Sequence, residues 1–410
     1  MTSGQKRLRL VLHDYPGHAF PIQLSRALAR RGHEVLHLYF DQFQSPRGPV
    51  APLPDDPATL TIVGVRLDRP FQKYNLIHRA WMERLYAGKL VARVAEFRPD
   101  VVFGGNGPLD PQAALQRWSR RHGVGFVFWL QDFYGVAIDG ILRRKLGAVG
   151  ALVGWYYRRL EQRLWRRSDE IVLITEDFRP LVEAAGVAAK RLHVIENWAP
   201  LDGLPLRDRY NDWAVANNLA RTRNLLYSGT LGLKHNPALL VALAQEFRDV
   251  EDVRIVVVTE GIGHDYLARE KEKLGLDNLI LLGFQPYEAL PDLIASGDVL
   301  VVLLETDAGI YSVPSKVLTY CCAARAILGA IPPENLAARL ILREQAGLVA
   351  SPDDAAGFAA AARRLMASAA ERAKLAAGGR AYAERSFDIE TIADRFEAVL
   401  LQARDRGHRG

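Results

Sequence analysis

Short apolar runs alternate with amphipathic stretches along almost the whole chain, and the alternation stops once and then restarts. In the first half the runs are Arg7–Tyr15, "VLHLYF", "PDVVFGG", "GFVFWLQD" and "DEIVLITE", each followed by a polar or glycine-containing loop. Helical patterns separate most of them. One is "FPIQLSRALARRGHEV", with Ile22, Leu24 and Leu28 on one side and Gly32 at its end. Alternation of this kind predicts a parallel sheet with helices on both faces. From Ile195 to Asn224 turn residues gather without periodicity. Six further apolar runs then follow: "LLYSGTL", "VRIVVVTEG", "LILLGF", "VLVVLLE", "AILGAI" and "AGLVA". Beyond Pro352 the chain is Ala-rich and helical. The pattern predicts two doubly wound α/β domains with a cleft between them. Their expected limits are 1–200, a connection at 201–223, a second domain at 224–385, and a final helix at 386–410 that crosses back to the first domain.

Length agrees, since 410 residues exceed what one ordinary core holds. Hydrophobic residues make up 49% and charged residues 24%, which excludes a disordered chain. Cys321 and Cys322 are adjacent and cannot build a disulfide framework, so a reducing compartment is expected and both read as small buried hydrophobes. No run of about 18 apolar residues is present to span a membrane, and "MTSGQKRLRLVLHDYPG" lacks the core of a signal peptide. A cytoplasmic protein is expected, peripheral at the inner face of the plasma membrane if it touches lipid at all. Net charge is +6 but uneven: residues 1–200 carry 29 Lys and Arg against 19 Asp and Glu, and the remainder 24 against 28. A basic first half could face anionic lipid, nucleic acid or a phosphorylated substrate, or be only a solvated surface. Nucleic acid is not expected, because no zinc-finger, RRM or KH motif accompanies the scattered cations.

In open α/β sheets ligands bind beyond the carboxyl ends of strands, and four such loops carry polar residues. After the first run, "HDYPGHAF" offers the Pro16-Gly17 turn and His18, which could donate a hydrogen bond or move a proton. Gln131 and Asp132 follow directly on "GFVFWL"; Asp132 reads as a site residue in preference to a helix cap. The loop "YSGTLGLKHNP" combines Gly229, Thr230 and Lys234, the ingredients of a phosphate nest, without matching the Walker pattern. Finally, "GIYSVPSKVLTY" sets Ser315 and Lys316 at a helix start opened by Pro314. Two phosphate-type loops imply a diphosphate, and a nucleotide would extend towards Glu260 and Phe284. No C-x-x-C pair and no D-x-D triplet is present, and no metal or other cofactor is expected.

In this order, these loops resemble the GT-B glycosyltransferases of family 4, the group 1 glycosyltransferases. The resemblance runs over nearly the whole chain. "GHAFPIQLSRALARRGHEVLHL" is similar to the family's opening helix and its R-G-H-E-V end, and "SDEIVLITEDFRPLVEAAGVAAKRLHVIENWAP" to the last strand, helix and N-W exit of its first domain. "SVPSKVLTYCCAARAILGA" resembles the branch that makes exopolysaccharides of the colanic-acid type.

The resemblance implies two Rossmann-like domains, transfer of a sugar from a nucleoside diphosphate donor with retention, and no metal. It also implies a glycan or polyprenyl-diphosphate-linked acceptor. Carried over residue by residue, Gly229, Thr230 and Lys234 fall on the phosphate loop. Gly17 and His18 fall beside the transferred sugar, and Phe284 and Gln285 where the base is held. Asp307 and Gly309 lie on the loop before Ser315 and Lys316. Many members have two glutamates eight positions apart; here Tyr311 and Thr319 occupy those positions, so Thr319 could bind a ribose hydroxyl and Glu305 or Asp307 would have to replace the first carboxylate. Thr230 stands where an arginine is usual and Gln131 where a histidine is. Catalytic roles are expected for His18, Asp132, Lys234 and Lys316. An epimerase or hydrolase on the same fold, or a noncatalytic sugar-nucleotide binder, would use the same donor loops.

One further segment stands apart. "LRRKLGAVGALVGWYYRRLEQRLWRR" (Leu142–Arg167) mixes Trp, Tyr and Arg with small apolar residues. It could rest on an anionic bilayer, or Leu152, Trp155, Leu160 and Leu164 could simply pack a helix onto the sheet.

Overall fold

The computed structural model of the chain describes residues 7–43, 47–69, 71, 76–232, 235–309 and 312–407. It divides into two units, Met1–Asn197 with Ile389–Gly410, and Trp198–Asp388.

In the first unit the strands are β1 (Arg9–His13), β2 (Glu34–Phe40), β3 (Leu60–Val65), β4 (Val101–Gly104), β5 (Gly125–Leu130), β6 (Glu170–Leu173) and β7 (Leu192–Val194). Helices α1 (Ala19–Arg30), α2 (Leu76–Phe97), α3 (Leu109–Arg121), α4 (Tyr134–Arg167) and α5 (Arg179–Ala184) connect them. All pairings are parallel, in the order β3-β2-β1-β4-β5-β6-β7. Order therefore reverses between β1 and β4, where His13 lies opposite Gly104. The two edge strands at the ends of that order escape the sequence reading. β3 is half-exposed and β7 has only three residues, so neither carries a long apolar run.

The second unit holds α6 (Asp212–Ala216), β8 (Arg223–Ser228), α7 (Ala238–Glu246), β9 (Val253–Val258), α8 (Ile262–Leu274), β10 (Leu279–Leu282), α9 (Leu290–Ala295) and β11 (Val299–Leu303). It continues through α10 (Lys316–Cys322), β12 (Ala326–Ala330), α11 (Leu336–Arg343), β13 (Gly347–Ala350), α12 (Ala355–Ala367) and α13 (Ala369–Ser386). Its parallel sheet runs β10-β9-β8-β11-β12-β13 and reverses between β8 and β11. Residues 201–223, expected to be a connection, pack into this unit. Asn211 caps α6 by accepting the Ala214 N–H at 2.9 Å and donates to the Asp292 carbonyl at 3.0 Å. Arg209 pairs with Asp298 at 3.1 Å.

The last helix, α14 (Ile389–Gly407), belongs to the first unit. Phe396 packs edge-on against Phe103 and Trp129. A side chain at Gly125 would collide with the backbone of Ala403, so the helix lies directly across β5. The R-G-H-E-V end of the first helix supplies the anchors: Arg31 pairs with Asp394 at 2.6 Å and Glu397 at 3.0 Å. His33 accepts the Leu8 N–H on Nδ1, so its Nε2–H donates to the buried Glu397 at 2.9 Å.

Residues Tyr134–Arg167 do not form one helix. Gly147 has φ 54° and ψ −128°, a conformation open only to glycine, and breaks α4 into arms at 134–146 and 148–167. The arms fold back on each other through missing side chains. A Cβ at Gly150 would strike the Leu142 carbonyl, one at Gly154 would strike Asp139, and one at Gly135 would strike Arg158. Of the two readings left open for this segment, packing onto the sheet does not hold for Leu152 and Trp155, which are 67% and 53% exposed. Leu164 does pack inside.

Candidate functional site

In the second unit the candidate residues line the carboxyl edge of β8, β9 and β10 and the loop after β11. Gly229 leaves β8 with φ 121° and donates its N–H to the Val258 carbonyl, so that N–H is occupied by the sheet. The Thr230 carbonyl accepts from the Tyr227 hydroxyl at 2.8 Å. Farther along, Gly232 N–H donates to His235 Nδ1 at 3.1 Å. Lys234 and Tyr311 lie outside the described residues.

Lys316 is the first residue of α10, and Ser315, at its N-cap, leaves its hydroxyl out of any cap bond. The lysine Nζ is buried without a hydrogen-bond partner and sits 3.5 Å from the centroid of the Tyr227 ring. A Cβ built on Gly229 would come within 3.4 Å of it, so the glycine turn leaves room for the amine. Burial pushes the Lys316 pKa well below its ordinary value. The structure thus brings Gly229 and Lys316 together at the point where strand order reverses. Thr319 stands one turn further along α10, half-buried. Tyr320 clamps the base of this turn, its hydroxyl accepting the Ser228 N–H at 3.1 Å. Cys321 and Cys322 are buried, and burial pushes the Cys322 thiol up to about 12 and Cys321 higher still. They are packing residues.

The loop after β11 is held from a distance by Asn335. Its amide donates to the Gly309 carbonyl at 3.0 Å and the Ser312 carbonyl at 2.8 Å, while its oxygen caps α11 through the Ala337 N–H. Asp307 is exposed on this loop. Burial, followed by the nearby charges of Asp353 and Asp307, raises the Glu305 carboxyl above its usual range. Glu260 accepts the Phe284 N–H at 3.1 Å, joining the ends of β9 and β10. The Gln285 amide is engaged at both ends, by the Gly283 carbonyl at 3.0 Å and the Trp213 indole at 3.2 Å. Neither Asn335 nor Trp213 was signalled by the sequence, since each acts across a long separation.

At the carboxyl end of β1 in the first unit, Gly17 turns with φ 76° and donates to the Asp14 carbonyl. His18 stands at the N-cap position of α1 without a side-chain cap bond, and its N–H donates to the Asp14 carboxylate. The imidazole Nδ1 lies 3.6 Å from Asp14 Oδ1. Burial opposes protonation of His18, but Asp14 and then Asp132 outweigh it and raise its pKa. Asp14 is fully buried; burial alone would raise its pKa, yet the charge of His18 holds it below its ordinary value. Asp132 and His18 are therefore electrostatic neighbours, with Asp14 the third member that the sequence did not reveal. Gln131 is committed elsewhere, in a reciprocal amide pair with Asn197 at 2.6 and 3.1 Å.

The string His33–His37 has H-x-x-x-H spacing. It falls at the start of β2, where His33 serves Leu8 and Glu397 and His37 bonds Ser25 at 2.9 Å. Among the described residues no group of three His, Cys, Asp or Glu side chains is placed to hold a metal ion.

A family model for a glycosyl transferase 4-like domain matches residues 22–198, and one for glycosyl transferases group 1 matches residues 222–368. The chain belongs to the group 1 glycosyltransferases. WcaI of Escherichia coli (strain K12), provisionally named a colanic acid biosynthesis glycosyl transferase, is 25% identical over 223 residues. That match covers 54% of each protein, so the chain spans about half the length of this curated relative. Among solved structures, this glycosyltransferase is similar to HepE of Anabaena in complex with UDP-glucose, with a TM-score of 0.68, 16% identity, and 96% and 100% of the two chains covered. It is also similar to the sucrose-phosphate synthase of Thermosynechococcus elongatus, with a TM-score of 0.69, 15% identity, and 97% and 99% covered. A third is WaaG, involved in lipopolysaccharide biosynthesis, with a TM-score of 0.67, 17% identity, and 95% and 99% covered. The fold is of the GT-B type, built from two Rossmann-like parallel sheets.

Proposed function

We propose that this glycosyltransferase is a retaining, metal-independent enzyme. It moves a hexosyl group from a nucleoside diphosphate sugar to a glycan or polyprenyl-diphosphate-linked acceptor during bacterial exopolysaccharide assembly, on the cytoplasmic side of the membrane. The observation that carries the reading is the Lys316 ammonium position, buried beside Gly229 with no hydrogen-bond partner. A buried amine without a counter-charge is unfavourable by itself and becomes favourable when an anion arrives. The donor diphosphate is such an anion, and the same cation would stabilise the negative charge that grows as the sugar bond breaks. Lys234 would add a second cation in place of a metal. The departing phosphate would accept the proton of the attacking hydroxyl, so no separate base is assigned. Thr319, one turn beyond Lys316, would face the ribose or sugar hydroxyls. In the first unit, His18, held by Asp14 and Asp132, would address the acceptor or the transferred sugar. HepE's complex with UDP-glucose makes the uridine nucleotides the first donors to test.

Calorimetric titration of UDP and UDP-glucose into the full chain tests this. Lys316→Met is expected to weaken binding by about 2 kcal/mol, roughly thirtyfold, as for the loss of a charged hydrogen bond. Because the free amine titrates far below its ordinary value, binding a diphosphate takes up a proton above that pH, and affinity falls as pH rises. Equal affinity of wild type and Lys316→Met for every nucleoside diphosphate sugar would refute the assignment.

A further inference from the structure

The hairpin made by α4 carries a surface that the transferase chemistry does not use. On its second arm Val149, Leu152, Val153 and Tyr156 recur at three- and four-residue spacing and are all exposed, Val149 by 68%. The opposite side of that arm, Gly150, Gly154 and Glu161, is buried against the first arm. Leu146, at the turn, is 55% exposed, and Trp155 flanks the stripe with Arg159 stacked over its ring at 5.5 Å. A monomeric protein seldom leaves so many large apolar side chains together in water. From Gly140 to Leu160 the sequence holds Arg143, Arg144, Lys145, Arg158 and Arg159 and no carboxylate.

We propose that the tip of this hairpin docks on an anionic lipid bilayer. Apolar side chains at the turn would enter the headgroup–acyl boundary, with Trp155 and Tyr156 at headgroup depth and the cations against lipid phosphates. Arg143 and Arg158 are paired with Asp139 at 2.6 and 3.5 Å, and charge still decides for lipid over a second copy of the chain, because a symmetric contact would press Arg144, Lys145 and Arg159 of one tip against the same residues of another. No described helix is long and apolar enough to cross a membrane, so the contact is one of lying on the surface. Gly147 shapes the device: without its turn the two arms would form one rod, and Leu146 and Val149 would not share an end. The inference is independent of donor chemistry, since vesicle binding is read without any sugar nucleotide.

The test is co-sedimentation of the full chain with vesicles of mixed phosphatidylglycerol and phosphatidylcholine, and with phosphatidylcholine alone. Wild type is expected to sediment with the anionic vesicles and less so as salt rises. The combined Leu146→Glu, Val149→Glu and Leu152→Glu variant should bind at least about a hundredfold more weakly. Arg144→Ala with Lys145→Ala and Arg159→Ala should weaken binding about tenfold or more and flatten the salt dependence. A blue shift of tryptophan emission on vesicle addition should vanish in Trp155→Phe, a readout that a merely misfolded variant would not isolate. The proposal is overturned if wild type stays in the supernatant with anionic vesicles at low salt, or if the glutamate variant binds as wild type does. It is equally overturned if the glutamate variant abolishes a dimer in solution while wild type ignores vesicles.

Discussion

The two units share an architecture and differ in what they bury. Every buried histidine, aspartate, glutamate and arginine among the described residues belongs to the first unit, including His13, Asp14, His37, Glu83 and Glu161. Among the described residues the polar side chains that the second unit buries are uncharged, namely Asn224, Thr259, Asn278, Ser296, Ser312 and Asn335, around an aliphatic core. A comparable group there is the Lys316 amine, at the edge of the candidate donor site. A sheet stabilised by apolar packing tolerates changes of pH, while one with titratable groups under its strands depends on their proton inventory. The first unit should therefore respond to pH much more strongly than the second.

Acid should break the symmetry most. Burial holds His13 and His37 down to about 4, against an ordinary value near 6.5. Between those values the unfolded chain binds the protons and the folded one does not, so stability is full above pH 6.5 and is lost as pH falls towards 4. The loss is about 3 kcal/mol per histidine. Hydrogen exchange across this range should release the amides of β1 and β2 while β8 and β9 stay protected; equal release in both sheets would defeat the comparison. His18 works in the opposite direction. Its raised pKa contributes stability that is full below its unfolded value and fades as pH rises through the folded one.

Smaller effects sharpen the contrast. Glu161 is raised to about 8, first by burial, and accepts the Gly135 N–H at 3.1 Å within the hairpin. Wild type should thus lose stability as pH rises from 4.5 to 8, and Glu161→Gln should not. A gap of about 3 kcal/mol by pH 7 is expected in chemical denaturation of the first unit. In the second unit Asn335→Ala leaves two carbonyls and one helix end without a partner, and should cost about 2 kcal/mol at any pH between 5 and 8. It should also weaken nucleotide binding by loosening the loop before Lys316. Tyr227→Phe keeps the ring under Lys316 and removes only the bond to the Thr230 carbonyl, so about 1 kcal/mol and no pH dependence are expected.

The sheets were readable because strands covered on both faces are close to continuously apolar, which is how β5 and β11 stand in the sequence and, but for a terminal or single charged residue, β1 and β9. β3 and β7 failed that test because edge strands need no such run. Lys316 was readable because Pro-Ser-Lys is a local signal. Asn335 was not, since the carbonyls it holds lie 26 and 23 residues away along the chain; Asp14 acts on His18 only four residues on, but the loop's sequence does not show that its carboxylate turns inward. The break at Gly147 was hidden among neighbouring glycines; which of several glycines takes a positive φ depends on what the arms meet, and spacing does not record that.

The anchoring of α14 by Arg31 and His33 bears on the order of synthesis. The first unit is begun before the second and completed only when the residues from Ile389 onward leave the ribosome, after the second unit is wholly made. Until then β5 waits with Gly125 and Trp129 uncovered, while the second unit has every strand it needs. A nascent chain halted at Asp388 would thus present a finished second unit tethered to an open first one, a natural substrate for a chaperone that recognises bare apolar sheet.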